Sequence, residues 1–430
     1  MNLQPKFKQT EIGMIPEDWD FDKLVNHAKI IAGQSPESTY YNSLGEGMPF
    51  LQGIRTFGNL YPTYDTWTTK ITKLAKEDSV LLSVRAPVGE VNIADKDICI
   101  GRGLMSIQGE DNRFIYYLFK AFNDYVINKE KGTVYGSITL EDVKRIKFPF
   151  PTLAEQRAIA AILSDLDEKI ELNHKMNKTL EAIGQAIFKQ WFVDFEFPNE
   201  KGKPYKSSGG EMEDSELGDI PKGWRVGRFE DIASDKKNAI VDGPFGTQLH
   251  SAEYKSEGIP VIRIINLSFD GRFIGNDLVF IDEEKFNELK RSATYPGDIL
   301  LAKTGATIGK FSILPFYIDK AIVASSVLKI TPKNNRYYLY NIIKNFSEQD
   351  YWARISAGST RSTINLDDVK KIEIITSPQK IVEKYELLME KFYSLIETTE
   401  IQNLTLSQIR DALLPKLISG KIRVPLEDKE

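Results

Sequence analysis

Three groups of residues in this sequence have nearly the types and spacing that chemistry needs. Gly305-Ala-Thr-Ile-Gly309-Lys310-Phe311 approaches a phosphate-binding loop, in which backbone N–H groups cradle an anion and a lysine neutralises it. It is one residue short, and Phe311 stands where a Ser or Thr would hold magnesium, so a tight turn between strands is expected. Asp242 with Glu253, Tyr254 and Lys255 imitates the carboxylate set of a metal-dependent nuclease, but the first half of the chain offers no counterpart. His27, His174 and His250 stand far apart, and Cys99 is alone, which excludes an intrachain disulfide and a cysteine metal cluster. No Asn/Asp-Pro-Pro-aromatic string of an adenine methyltransferase occurs. Nothing brings a nucleophile, a base and an orienting group together, so no catalytic, metal or cofactor site is expected in this chain.

The elements that must position whatever this chain does carry begin with one long helix. Thr152 to Trp191 contains no proline, and Thr152 with Glu155 reads as a capping box. At 1.5 Å per residue such a helix spans about 60 Å, too long to stand without a partner. Steps of four and three run from Ile159 through Leu163, Leu166, Ile170, Asn173, Asn177, Leu180, Gly184 and Ile187 to Trp191. That is a heptad-like seam with a polar, small-residue middle. A second stripe of similar length runs Ile381, Tyr385, Leu388, Phe392, Leu395, Thr399, Gln402, Leu406, Ile409 and Leu413. Ser377 is placed to cap it and Pro378 to begin it. An antiparallel two-helix coiled coil is the expected pairing, because each helix follows its own large domain.

Those domains are copies. Glu11-Ile-Gly-Met-Ile-Pro-Glu-Asp-Trp19 returns as Glu216-Leu-Gly-Asp-Ile-Pro-Lys-Gly-Trp224. Asp78 to Gly89 matches Asp298 to Gly309, Gly132 to Thr139 matches Gly358 to Asn365, and Leu140 to Ile146 matches Leu366 to Ile372. One such repeat, at a period of about 200 residues, means a duplicated domain and not a solenoid. Tyr40 to Lys73 and Pro244 to Ser292 share little, which suggests a common frame carrying individual inserts. Strands are expected at Val80–Val84, Val91–Ala94, Leu104–Ile107, Pro260–Ile265, Ile299–Ala302 and Ile322–Ile330, and helices at Phe114–Lys129 and Tyr337–Ser356. Each copy is therefore an α+β unit. Asn199 to Asp219 reads as a linker. The rings of Phe188, Trp191, Phe192, Phe195 and Phe197 are expected to pack within their own domain. A net charge of −5, with 41% hydrophobic and 27% charged residues, is ordinary for a globular protein and neither advertises nor excludes a nucleic-acid partner. No signal peptide or membrane-length apolar run is seen, so the cytoplasm is the expected compartment.

Pro151-Thr-Leu-Ala-Glu-Gln-Arg157, the long helix, Trp191-Phe-Val-Asp-Phe-Glu-Phe-Pro198, Ser215 to Trp224 and the closing Leu414-Pro-Lys-Leu-Ile-Ser-Gly-Lys-Ile-Arg-Val424 stand in a specific order. The chain thereby resembles, over essentially its whole length, the specificity subunits of Type I restriction–modification enzymes. The resemblance implies two pseudo-repeated globular target-recognition domains separated by two long antiparallel helices. The boundaries would be 1–150 for the first recognition domain, 151–197 for the central helix and 198–218 for a linker. The second recognition domain would take 219–376, and the distal helix and tail 377–430. Each domain would read one half of a split duplex DNA site. The helices would space the halves and dock two methyltransferase subunits, with restriction subunits outside. S-adenosylmethionine, ATP and magnesium would then belong to the partners. The second helix begins Pro378-Gln-Lys-Ile-Val without the Glu-Gln-Arg of the first, a departure that bears on whether both partner copies bind alike. A stand-alone nuclease or methyltransferase, or a scaffold binding only proteins, are the rival classes.

Base edges are read by Arg, Asn, Gln, Ser and Thr on loops, with Arg and Lys reaching phosphates. The expected DNA contacts in the first copy are Gln34, Ser35, Gln52, Arg55, Arg85, Arg102, Tyr135 and Ser137. In the second copy they are Thr247, Gln248, Arg263, Lys303, Thr304, Arg361, Ser362 and Thr363. Arg85 and Lys303 lie near each other when the copies are aligned.

Overall fold

The computed structural model describes residues 6–130, 137–244, 248–356 and 363–425. The chain divides into two compact units, residues 1–175 with 400–430 and residues 176–399. Unit 1 opens with a hairpin, Phe7–Thr10 against Gly13–Pro16, that delivers Trp19 into the core at 1% exposure. Six short strands carry its frame: β1 (Ala28–Ala32), β2 (Met48–Leu51), β3 (Val80–Ser83), β4 (Val91–Ile93), β5 (Ile98–Ile100) and β6 (Leu104–Gly109). One antiparallel sheet has the order β4-β3-β6-β1. In the second sheet β2 and β5 pair in parallel, with Trp67–Thr68 and Leu74–Ala75 outside them. Helix α1 (Asn112–Ala121) starts where the Asp111 carboxylate accepts the Phe114 N–H at 2.8 Å, and it buries Phe114, Ile115, Leu118 and Phe119 in the unit 1 core. The long helix α2 (Leu153–Phe188) follows.

Unit 2 repeats the plan. Its strands are β7 (Ile240–Asp242), β8 (Ile259–Ile262), β9 (Ile299–Ala302), β10 (Phe311–Ile313), β11 (Ala321–Val323) and β12 (Val327–Ile330). The antiparallel sheet runs β10-β9-β12-β7, and β8 pairs in parallel with β11 between Val279–Ile281 and Ala293–Thr294. Both sheets are therefore duplicated, so the shared frame extends into the stretches whose sequences are individual. The unlike stretches 40–73 and 244–292 supply equivalent strands. Strands of two to four residues ask only for a β-compatible pattern, so sequence identity can vanish while pairing persists. Helix α3 (Arg336–Glu348) answers to α1, and the last helix is α4 (Gln379–Ile418).

The helix sections within each unit are antiparallel. In unit 1, Arg410 donates to Asp167 at 2.6 Å, and Asn173 Nδ2 donates to Gln402 Oε1 at 2.9 Å and Asn403 Oδ1 at 2.7 Å. In unit 2, the Thr399 hydroxyl donates to Asn177 Oδ1 at 2.6 Å, and a Cβ at Gly184 would touch Met389 Sδ at 3.4 Å. The distal seam is displaced from the expected one. Tyr385, Phe392, Thr399, Leu406 and Leu413 face inward, but the alternate column is Val382, Met389, Ile396, Asn403, Arg410 and Leu417. Leu395 and Ile409 are left 42% and 43% exposed. On α2, Asp167 replaces Leu166 in the seam. The α-helix ends at Phe188 and continues as a π-helical turn, Lys189–Val193, that buries Phe192 in place of Trp191.

Other expectations also change. Thr152 accepts the Glu155 N–H at 3.4 Å, but the Glu155 carboxylate turns away to Trp19 Nε1 at 3.1 Å and to Arg423. The capping box is therefore half made. The Ser377 hydroxyl donates to the Pro378 carbonyl at 3.2 Å instead of capping α4. The expected strand Ile322–Ile330 is two strands, β11 and β12, in different sheets. The expected helix Phe114–Lys129 is two, Asn112–Ala121 and Asn123–Glu130. The helix expected at Tyr337–Ser356 likewise breaks at Asp350, whose φ is 52°. Phe188, Phe192, Phe195 and Phe197 do pack inside unit 2, with Trp191 partly buried beside them and the Tyr205 ring stacked on Phe197 at 4.6 Å.

Candidate DNA-reading interface

In unit 1, the turn Gly101-Arg102-Gly103 between β5 and β6 gathers the ends of several strands. A Cβ on Gly33 would collide with the Gly101 carbonyl, and a Cβ on Gly103 with the Gln52 carbonyl, so both positions need glycine for close backbone approach. The Gln34 N–H donates to Ile100 O at 2.9 Å, Gly103 N–H to Gln52 O at 3.1 Å, and Arg102 N–H to Ser35 Oγ at 3.3 Å. Val84 N–H donates to Gly103 O at 3.0 Å, and Arg85 forms a β-bridge with Ser137. Gln34, Ser35, Gln52, Arg85, Arg102 and Ser137 thus border one patch. The Arg85 and Arg102 side chains are exposed, and neither makes an ion pair or hydrogen bond among the described residues. Arg55 is 74% exposed but is held by Asp65 through two bonds of 2.5 and 2.8 Å. That guanidinium keeps the Asp65 carboxyl below the usual carboxylate range. Tyr135 lies outside the described residues.

Unit 2 builds the same junction. Gly243 N–H donates to Val327 O at 3.2 Å as Gly33 does to Leu104 O, and a Cβ on Gly243 would collide with Ala324. Lys303 N–H donates to Ser326 O at 3.0 Å and Ile364 N–H to Lys303 O at 2.9 Å, while Thr304 forms a β-bridge with Thr363. These bonds equate Val84 with Lys303 and Arg85 with Thr304. The register shifts by one from the alignment of Asp78 with Asp298, because Asp78, at φ 65°, takes the place of Gly297, at φ 87°. The side chains differ more than the backbone. Lys303 Nζ pairs with Asp242 at 2.8 Å, each side chain 14% exposed, and Arg291 lies 3.5 Å from the same carboxylate. The Arg263 guanidinium donates to the Asp277 carbonyl, and its backbone N–H to Asn266 Oδ1 at 3.0 Å. Gln248 is exposed on the loop that follows β7. Thr247, Arg361 and Ser362 lie outside the described residues.

Ser325 and Ser326, in the turn equivalent to Arg102 and Gly103, were missed by sequence reasoning. The run Ala321 to Ile330 has no Gly or Pro to mark a turn. Aligning Gly33 with Gly243 would have exposed it. The catalytic look-alikes find other partners. Glu253 binds Lys285 at 2.7 Å and the His250 N–H at 2.6 Å, and Asp242 is paired as above. Gly305 to Lys310 forms a turn that leads into strand β10 and not into the helix a phosphate loop requires.

Two copies of one α+β frame, each ending its strands in a patch of polar and cationic side chains, define a duplicated recognition protein. The family described as Type I restriction modification DNA specificity domain matches residues 16–182 and 221–408, and the chain belongs to that family. The MjaIX specificity subunit of Methanocaldococcus jannaschii is 27% identical, over 98% of this chain and 97% of its own. The EcoBI specificity subunit of Escherichia coli is 23% identical, over 95% of this chain and 87% of its own. The solved S subunit from M. genitalium shares the fold at a TM-score of 0.58 and 18% identity, covering 96% of this chain and 99% of that one. The chain is thus a DNA-specificity subunit and not itself the enzyme of its system. No helix among the described residues is long and apolar enough to cross a membrane.

Proposed function

We propose that each recognition domain, 1–150 and 219–376, reads one half of a bipartite duplex site through the patch described above. The segments 151–197 and 377–430 would fix the separation of the halves and dock two methyltransferase subunits, with 198–218 as the connection. Restriction subunits would join the full complex in the cytoplasm. S-adenosylmethionine, ATP and magnesium would be held by those partners. One observation carries the reading. The same junction of strand ends occurs twice on one frame, and its side chains differ between the copies, as two unlike half-sites require. Methylation mapping of cells expressing this chain with its methyltransferase tests it. A split motif is expected, and exchanging residues 1–150 for another family member's should change one half alone. A continuous motif, or change in both halves, would refute it.

A further inference from the structure

Among the described residues, the two patches place their cations in opposite situations. Arg85 and Arg102 project from unit 1 without partners among the described residues. The unit 2 equivalents of Val84 and Ala32 are Lys303 and Asp242, which close on each other at 2.8 Å with 14% exposure each. The unit 2 equivalent of Arg102 is the neutral Ser325. A cation releases counterions from a duplex only if no protein anion already neutralises it, and breaking a mostly buried pair carries a desolvation penalty. We infer that Arg85 and Arg102 supply phosphate-neutralising, salt-dependent contacts in the first domain, whereas Lys303 is a positioning residue that ties the strand end at Asp242 to the loop at Thr304.

The inference rests on the proposed DNA-reading role, and the experiment separates the two. The chain is assembled with its methyltransferase subunits, and affinity for a duplex bearing the mapped methylation site is measured as salt is raised. A wild-type complex that cannot distinguish that duplex from a scrambled one would remove the DNA-reading role itself. If it does distinguish them, Arg85→Ala and Arg102→Ala should each reduce the slope of log affinity against log salt by about 0.9. Both should weaken specific and scrambled duplexes alike. Lys303→Ala would leave the mostly buried Asp242 with only the longer Arg291 contact at 3.5 Å, so the informative variant is Asp242→Ala with Lys303→Val, the apolar pair unit 1 uses. Its slope should be no smaller than wild type, since no phosphate contact is lost and Arg291 is released from Asp242, and the second half-site should remain readable where Asp242→Ala alone blurs it. A slope reduced by the double variant as much as by the arginine variants would overturn the inference. So would arginine variants with unchanged slopes.

Discussion

Glu386 shows how one side chain makes unit 2 sensitive to pH. It lies on α4, yet its carboxylate accepts the N–H groups of Tyr337 at 3.2 Å and Tyr338 at 2.7 Å in the first turn of α3. Asn335 makes no side-chain cap there, so Glu386 does the capping from a neighbouring helix. Burial pushes its carboxyl up from 4.5 to about 7. A folded-state value above the unfolded one means that the folded state binds the proton more tightly. The stability this group contributes is full below pH 4.5 and is lost as pH rises through about 7. Glu386→Gln removes the titration. Relative to that variant, the wild-type chain should lose up to about 3 kcal/mol between pH 4.5 and 8 in urea unfolding. A pH-independent difference would show that the carboxyl is not held as described. Glu155 makes the complementary case. Its side chain is 3% exposed, and Arg423 binds it at 2.7 Å while also reaching Asp18 at 2.9 Å. Arg423→Ala should cost about 3 kcal/mol by stranding that carboxylate, and adding Glu155→Gln should recover much of the loss in a thermal melt. The sequence showed Glu155 as a cap because local spacing was all it displayed. The partner, Arg423, lies more than 250 residues away, and no local rule reaches it.

At the scale of elements, the long helices and the duplicated frame were legible, while the seam of α4 was legible only in part. Its apolar residues come in adjacent pairs, Ile381 with Val382, Leu388 with Met389, and Leu395 with Ile396, so two columns one residue apart fit equally well. The pair Ile409 and Arg410 tips a reader to the apolar member. The structure chooses Arg410, because Asp167 on α2 offers it a short ion pair that also accepts the Tyr117 hydroxyl at 2.8 Å. The two strand-end patches were hidden for a different reason. Their geometry depends on backbone closeness between Gly33 and Gly101 and between Gly243 and Ala324, which is a tertiary fact. The polar middle of the unit 1 section yields a prediction. Asn173 Oδ1 and Asn403 Nδ2 are buried without a partner, although the two amides bond each other once. Asn173→Leu alone should destabilise by about 1–2 kcal/mol, since it strands the Asn403 amide. Asn173→Leu with Asn403→Leu should be more stable than either single variant, at the expense of a less strictly defined register. A double variant weaker than both singles would mean that the amides are better satisfied than their geometry indicates.

For the whole molecule, the proposed spacing role makes a prediction about length and rotation together. Helices α2 and α4 each pass from one unit to the other, α2 after Lys175 and α4 after Thr399. Four residues inserted at each point leave the pairing inside both units untouched, including Asn173 with Asn403 and Asn177 with Thr399. Four helical residues add about 6 Å and turn the helix by about 40° beyond one full revolution. One base pair adds about 3.4 Å and, at 10 to 10.5 base pairs per turn, about 35°. The added rotation therefore suits one extra base pair and the added length nearly two. Methylation mapping of cells carrying the lengthened chain should find both half-sites unchanged and the gap between them wider by one or two base pairs. Adding a full heptad to each helix instead gives about 10 Å with almost no net rotation, whereas three base pairs turn the duplex by about 100°. That variant should lose affinity and methylation, because no gap satisfies distance and facing at once. Unchanged spacing in the first variant would show that something other than these helices sets the gap.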